Sequence, residues 1–435
     1  MFAAVPATPP GPGAGGAPDG APRAIEEAFD AFIARHRRGY VKGTAEYVSR
    51  LALFETRAAE VEAHNARKAR TWTAGVNQFA DRTAAELRAA RGWRPWAARG
   101  EAPEEGGESQ DSQGLLETGR IADQVDWSSK LKMAAAVPDQ GMCGSCWAMA
   151  AISVLDAHHE IHNGPGKSFS AQELISCVQN KRHCGGTGGC NGATVEMAMD
   201  FVMKNGLSDT SAVPYEAKDT HCGKMMGKAS SVVLKEQTAP GDDAPESPGA
   251  PTDAAGSAAA ALGLVGWRQL TANRESDLLR SVMLGPVAVT VAARDWFPYT
   301  QGIFNGCSED YWVVDHAVTL FGYQKTHTSY WLIRNSWGPT WGENGFIRVH
   351  RSESEDSHCG VDHDPQKGTG CDGGPSQVNV CGTCGVLFDS VVPHFRNAKD
   401  AGAKASAARL AAVSRHRPAL AEGPAPRLVR REQAG

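Results

Sequence analysis

No run in the 435-residue chain approaches the 18 or more consecutive apolar residues of a membrane-spanning helix, so a helical span is excluded. The opening string MFAAVPATPPGPGAGGAPDGAPRA has neither a basic n-region nor an apolar h-region, so it does not read as a secretory signal. There is no internal repeat, which excludes a stacked array. An even cysteine count is also lacking: there are eleven, so a fully paired set leaves one thiol free. That number is high for a reducing compartment and too sparse for a miniprotein held by disulfides alone. The cysteine pattern outweighs the unsignal-like start and points to an oxidising compartment.

What is present divides the chain by composition. Residues 1–23 are rich in Pro, Gly and Ala and are expected to be disordered. Residues 24–99 look helical and basic, with 14 Lys/Arg against 9 Asp/Glu, net +5. Residues 100–120 form an acidic linker, six acids and no base over 100–119. The large unit, 121–393, holds all eleven cysteines; counted from 120 it has 20 Lys/Arg against 30 Asp/Glu, net −10. Within it, 237–261 is low-complexity and too polar for a core, an inserted flexible loop. Residues 394–435 read as a disordered Ala/Arg-rich tail. The opposite charges of the basic segment and the large unit favour docking, which protonated carboxylates would weaken.

In the basic segment, Glu46, Arg50, Phe54, Arg57, Val61 and Asn65 recur at steps of 4, 4, 3, 4 and 4, one face of a helix. The spacing also fits an ordinary amphipathic helix, but a face mixing Glu, Arg, Phe and Asn is odd for a simple core stripe and suggests a buried charged, hydrogen-bonded network. GVNQFAD then reads as a short extended piece, and Thr83-x-x-Glu86 as a capping box opening another helix.

The large unit opens with VPDQGMCGSCWAMAAISVL, Val137–Leu155. Its C-x-x-C spacing fits half a zinc site, a redox dithiol, or a structural cysteine beside a reactive one. Nucleophilic cysteine chemistry needs a thiolate, a base, a group that orients the base, and oxyanion donors. Cys146 precedes a helical run whose macrodipole would favour the thiolate. His316 stands in the apolar run YWVVDHAVTLFGY, and Asn335 ends a second strand before Trp337 and Trp341. Gln140 can offer an amide donor beside the Cys146 backbone N–H. Taken singly, each has a plain structural explanation: a core histidine, a turn asparagine, a packing tryptophan. Their joint occurrence in order as QGMCGSCW, DHAV and NSWG overrides those explanations.

These motifs, with the Glu46/Arg50/Phe54/Val61/Asn65 spacing and GVNQFAD, resemble the papain-like cysteine proteases of cathepsin L type with their inhibitory propeptide. GPVAV (285–289) and GIFNGC (302–307) also match, and the likeness spans roughly 24–90 and 121–393. Arg57 departs from the family, which usually has Asn there. His316 and Asn335 lie 170 and 189 residues after Cys146, beyond the usual 130–150 or so; the 237–261 loop accounts for most of the excess.

The resemblance implies an α+β fold with a helical left domain, a β-barrel-like right domain and a cleft between. A small helical propeptide domain, 24–99, precedes it and lays its extended tail backwards through the cleft. It implies Cys146 as nucleophile, His316 as general base and acid, Asn335 as its orienting group and Gln140 as oxyanion donor. A thiol pKa of about 3–4 is typical of papain-type sites. Substrate contacts are expected from Gly192, Ala193 (where the family often has a second glycine), Asp315, Trp337 and Asp364. Asp364 falls near the usual floor of the main specificity pocket, an expectation of basic side chains there. The implied bridges are Cys143–Cys190, Cys177–Cys222 and Cys307–Cys359. Cys184, Cys371, Cys381 and Cys384 remain, with three pairings open.

The expected product is a monomeric zymogen of a cysteine endopeptidase, lysosomal, vacuolar or secreted, cleaved for activation near residues 110–124. It would act on peptides and proteins, with its own propeptide as inhibitor, and without cofactor, metal or nucleic acid. A catalytically silent paralogue acting as an inhibitor or binding protein, and a thiol-disulfide oxidoreductase, are the alternatives. A zinc site from Cys143/Cys146 with Cys381/Cys384 would consume the nucleophile and leave DHAV and NSWG without a role.

Overall fold

The structure, a computed structural model, describes residues 20–92, 120–222 and 262–396, apart from positions 353 and 355. The expectations for the linker up to 119, the 237–261 loop and the tail beyond 396 lie outside the described residues. Two boundaries differ from expectation. Helix α1 (Gly20–Arg35) begins inside the stretch read as disordered, and the last strand runs to Phe395, past the expected start of the tail.

Helix α2 (Ala45–Asn65) packs on α1 around a small aromatic core of Phe29, Phe32, Tyr47 and Phe54. The mixed face of α2 does what its composition implied. Phe54 points into this core, while Arg50 pairs with Glu86 and donates to the Asp81 carbonyl at 3.0 Å. Arg57 donates to the carbonyls of Phe79 (2.6 Å) and Arg82 (2.8 Å), so it staples backbone. Asn65 exchanges two hydrogen bonds with the backbone of Ala74. Glu46 differs from expectation: it lies at the rim, 60% exposed, 3.7 Å from Arg50.

The capping box opens α3 (Ala84–Ala89), with Thr83 and Glu86 bonded reciprocally. Burial alone would raise the Glu86 carboxyl, but hydrogen bonds from Arg50, Thr83 and Arg82 outweigh it and bring its pKa down to about 2. A carboxylate with a depressed folded-state pKa stabilises fully above its unfolded value, near 4.5, and that stabilisation fades as pH falls towards 2. The first thermal transition of the chain carrying Cys146→Ser is therefore expected to drop over this window, and Glu86→Gln to flatten the drop. Equal pH slopes for the two chains would refute the assignment.

Strand β1 (Trp72–Ala74) leaves this helical unit and pairs antiparallel with β5 (Tyr299–Phe304), the edge of the main sheet. The sheet then continues through β8 (Phe346–His350), β7 (Tyr330–Arg334), β6 (His316–Gln324), β4 (Val287–Val291), β11 (Ser390–Phe395) and β3 (Leu264–Gln269). A short β2 (Gln124–Asp126) also pairs with β6. Among the described residues this is a nine-stranded sheet ending at β1 and β3, the β-rich wall expected of the right domain, not closed into a barrel. Five tryptophans, Trp147, Trp296, Trp331, Trp337 and Trp341, are fully buried. The other wall is helical: α4 (Cys146–Asn163), α5 (Ala171–Cys177) and α6 (Val195–Asn205) form a separate apolar cluster. Helix α7 (Glu275–Leu284) backs the sheet. Among the described residues no helix is long and apolar enough to cross a membrane.

Candidate active site

Helix α4 starts at Cys146, which places the thiol over the positive end of an 18-residue helix. The preceding loop is pinned by the Cys143–Cys190 disulfide and by Gly144 N–H donating to the Cys190 carbonyl at 2.9 Å. Cys146 is buried and is the free cysteine. His316 opens β6 and Asn335 follows β7, so sheet pairing brings the two together across 19 positions. His316 Nε2 meets Asn335 Oδ1 at 2.8 Å, and its ring stacks on Trp337 at 4.9 Å. His316 Nδ1 is buried with no hydrogen-bond partner among the described residues, which leaves it for a thiol.

Gln140 is fully buried and aimed. Ser336 Oγ donates to its Oε1, which leaves Nε2 to donate to the carbonyls of Cys143 (2.9 Å) and Ala90 (3.0 Å). Tyr215 braces the loop, its hydroxyl donating to the Gln140 carbonyl at 2.8 Å. Ser336 and Tyr215 escaped sequence reasoning, although Ser336 stands inside NSWG.

The N-terminal unit reaches this site. Phe79 packs edge-on against both Phe297 and Trp337, at 4.9 and 5.2 Å, and those two rings stack on each other at 4.5 Å. Gln78 donates to the Trp337 carbonyl and Asn77 to that of Phe297. Beyond α3, the Ala90 carbonyl accepts from both Gln140 and Trp337, and the Cys146 thiol donates to the Arg91 carbonyl at 3.5 Å. Arg91 Nη1 lies 3.0 Å from Asp315 Oδ2, with both side chains at most 5% exposed. Asp315 is itself held by Tyr311 O–H (3.0 Å) and the Ala293 N–H (3.2 Å).

This plug sets the charge state. Burial, which outweighs the surrounding backbone donors, pushes the Cys146 thiol up to about 11. Burial likewise lowers His316 to about 4; the positive charge of Arg91 acts in the same sense, and the Asn335 contact opposes it. Both groups are therefore neutral near pH 7 while the plug is seated.

The remaining site residues sort as follows. Gly192, at φ +94, has no room for a side chain: a Cβ would fall 2.2 Å from the Gly92 carbonyl oxygen. Ala193 is not among the residues with positive φ, so alanine fits where a glycine is usual. Asp364 is corrected. It sits 52% exposed, paired with Lys367, because the connection between β9 (Cys359–Asp362) and β10 (Val378–Cys381) carries it to the surface. Besides Asp315, the acid lining the thiol cavity is Asp389, with Glu196 next to it; Gln269 Nε2 donates to Asp389 at 2.8 Å and Glu196 at 3.4 Å. Burial, then the neighbouring Asp389, pushes the Glu196 carboxyl up.

Five disulfides are present among the described residues. Cys143–Cys190 and Cys177–Cys222 agree with expectation. Cys307–Cys359 is corrected: Cys307 joins Cys384. The reason is register, since β9 (Cys359–Asp362) and β10 (Val378–Cys381) pair antiparallel with Cys359 opposite Cys381, and those two bond. Cys184 joins Cys371. With Cys143, Cys381 and Cys384 in bridges, neither a four-thiolate zinc site nor a Cys143/Cys146 redox pair is available.

The profile described as papain family cysteine protease matches residues 121–369, and that of the cathepsin propeptide inhibitor domain (I29) matches 29–87. Cysteine protease 1 of Oryza sativa subsp. japonica is 33% identical over 349 residues, covering 77% of this chain and 62% of that protein. Senescence-specific cysteine protease SAG39 of Oryza sativa subsp. indica is 30% identical over 352 residues, covering 79% and 89%. This chain spans 62% and 64% of the length of Cysteine protease 1 and of the rice oryzain beta chain. Among solved structures, procathepsin L2 proteinase from the Tenebrio molitor larval midgut superposes with a TM-score of 0.60 at 25% identity, over 85% of this chain and 100% of that one.

Proposed function

Because the chain belongs to the papain family of cysteine proteases, we propose that it is the zymogen of a cysteine endopeptidase held inactive by its own N-terminal unit. The observation that carries this reading is the seating of Ala90–Gly92, whose first carbonyl takes the Gln140 amide while the next takes the Cys146 thiol.

Once the plug leaves and water enters, the desolvation that keeps both groups neutral is relieved, and the thiol proton can pass to His316. The Cys146 thiolate attacks a peptide carbonyl, forming a C–S bond. The oxyanion is held by Gln140 Nε2 and the Cys146 N–H. The His316 imidazolium, oriented by Asn335, protonates the leaving nitrogen as the C–N bond breaks. Water, deprotonated by His316, then hydrolyses the thioester and restores the thiol. Asp389 beside the cavity supports acceptance of basic side chains. All four catalytic groups come from one chain, in keeping with a monomer. The disulfides support an oxidising compartment, vacuolar, lysosomal or extracellular.

The test is to acidify the purified chain with a reductant, then follow hydrolysis of a fluorogenic Phe-Arg amide and labelling by an epoxide thiol inhibitor. Hydrolysis and labelling that rise together as the N-terminal unit is removed are expected. A processed, folded chain that neither hydrolyses nor labels would instead indicate a silent binding protein.

A further inference from the structure

The leaving-group side of the cleft is the one bearing the acid His316 with Trp337 and Phe297. The acyl segment of a substrate must therefore run the other way, between Gly192–Ala193 of the helical wall and Val314–Asp315 of the sheet wall. A chain segment crosses that route. Strands β9 and β10 form a hairpin whose connection, residues 363–377, reaches from the sheet wall to the helical wall.

Its root is tied to the sheet wall, where buried Asp362 accepts from the Val314 N–H at 3.2 Å. Its far end is tied to the helical wall by the Cys184–Cys371 disulfide, by Gly185 N–H donating to the Gly370 carbonyl at 2.9 Å, and by the His183–Asp372 pair at 2.7 Å. Between these ties, Gly368 touches both walls. A Cβ there would fall 1.5 Å from the Val314 carbonyl oxygen, and a Cβ on Gly185 would fall 2.4 Å from the Gly368 carbonyl oxygen. Gly368 and Thr369 line the same cavity as Cys146, Gly192 and His316. That cavity retains about 20 Å³ beside the plug.

We propose that this covalently tied strap closes the acyl side of the cleft, so that the enzyme acts on substrates presenting only a short segment before the scissile bond. The inference rests on the peptidase reading and narrows its endopeptidase scope: bonds near amino-terminal ends and in short peptides are cut ahead of those in the interiors of long chains. The strap does not move to do this, because it is bonded to both walls.

The test uses the acid-processed enzyme and a series of acetylated fluorogenic amides with two, three, four and five residues before the scissile bond, all ending in Phe-Arg. In wild type, kcat/KM is expected to fall at least about tenfold between two and four residues, a loss of transition-state binding as the segment meets the strap. In Cys184→Ser/Cys371→Ser, the four-residue substrate should approach the two-residue one. A flat or rising wild-type profile overturns the proposal and needs no variant to fold. A folded double variant that keeps the wild-type drop also overturns it, since another barrier would then set the length. Failure to hydrolyse any member, with no epoxide labelling, would bring down the peptidase reading itself and this inference with it.

Discussion

Replacing Cys146 by Ser is expected to lower kcat on the order of 10⁶-fold, the scale seen when the nucleophile of an acyl-transfer site is removed. The reason lies in the chemistry of the pair. A serine hydroxyl at this position stays protonated across the working range and is a poor partner for a histidine that expects to hold a thiol proton. The substitution is nearly isosteric, so the fold, the Cys143–Cys190 bridge and the plug should persist. The measurement is the single-turnover rate on the Phe-Arg amide after the N-terminal unit has been removed by an added protease. Residual activity within about a hundredfold of wild type would show that the reaction uses another group.

The second large effect concerns the same thiol before processing. With Cys146 raised to about 11 under Ala90–Gly92, the thiolate fraction at pH 7 is on the order of 10⁻⁴. Alkylation by iodoacetamide is therefore expected to be about 10³–10⁴-fold slower in the intact chain than in the processed enzyme, where the thiolate is the resting form. The pH profile should separate the two states. The intact chain should react faster with rising pH through the alkaline range, whereas the processed enzyme should already be near its plateau at neutral pH. Equal rates at pH 7 would mean that the plug blocks substrates without suppressing the thiolate.

Much of this site was legible because papain-type chemistry sits in short strings. QGMCGSCW, DHAV and NSWG each place their residue relative to a local element, Cys146 at a helix start, His316 at a strand start and Asn335 just past a strand end. The α2 face was legible for a similar reason, since Arg50, Arg57 and Asn65 follow helical spacing and the helix formed. Even so, the pattern could not say that Glu46 would stand at the rim.

What failed was what long-range register decides in the C-terminal part of the large unit. Asp364 and Asp389 are both acids near the C-terminal part of the large unit, and only the path of the β9–β10 hairpin puts one on the surface and the other beside the thiol cavity. The pairing of Cys359 with Cys381 follows from two strands meeting in one antiparallel register, which moves Cys307 to Cys384.

By itself, then, the amino-acid sequence determined the composition of the candidate site: a cysteine at a helix N-terminus, a histidine, an asparagine and a glutamine amide, with an N-terminal segment to cover them. Those features are local, each readable from a few adjacent residues and the element they open or close. The tertiary structure alone decided the state and the shape of the site. Burial under Ala90–Gly92 keeps thiol and imidazole neutral, and the strap bonded through Cys184–Cys371 spans the cleft. Both depend on groups far apart in the chain, whose meeting no local pattern encodes.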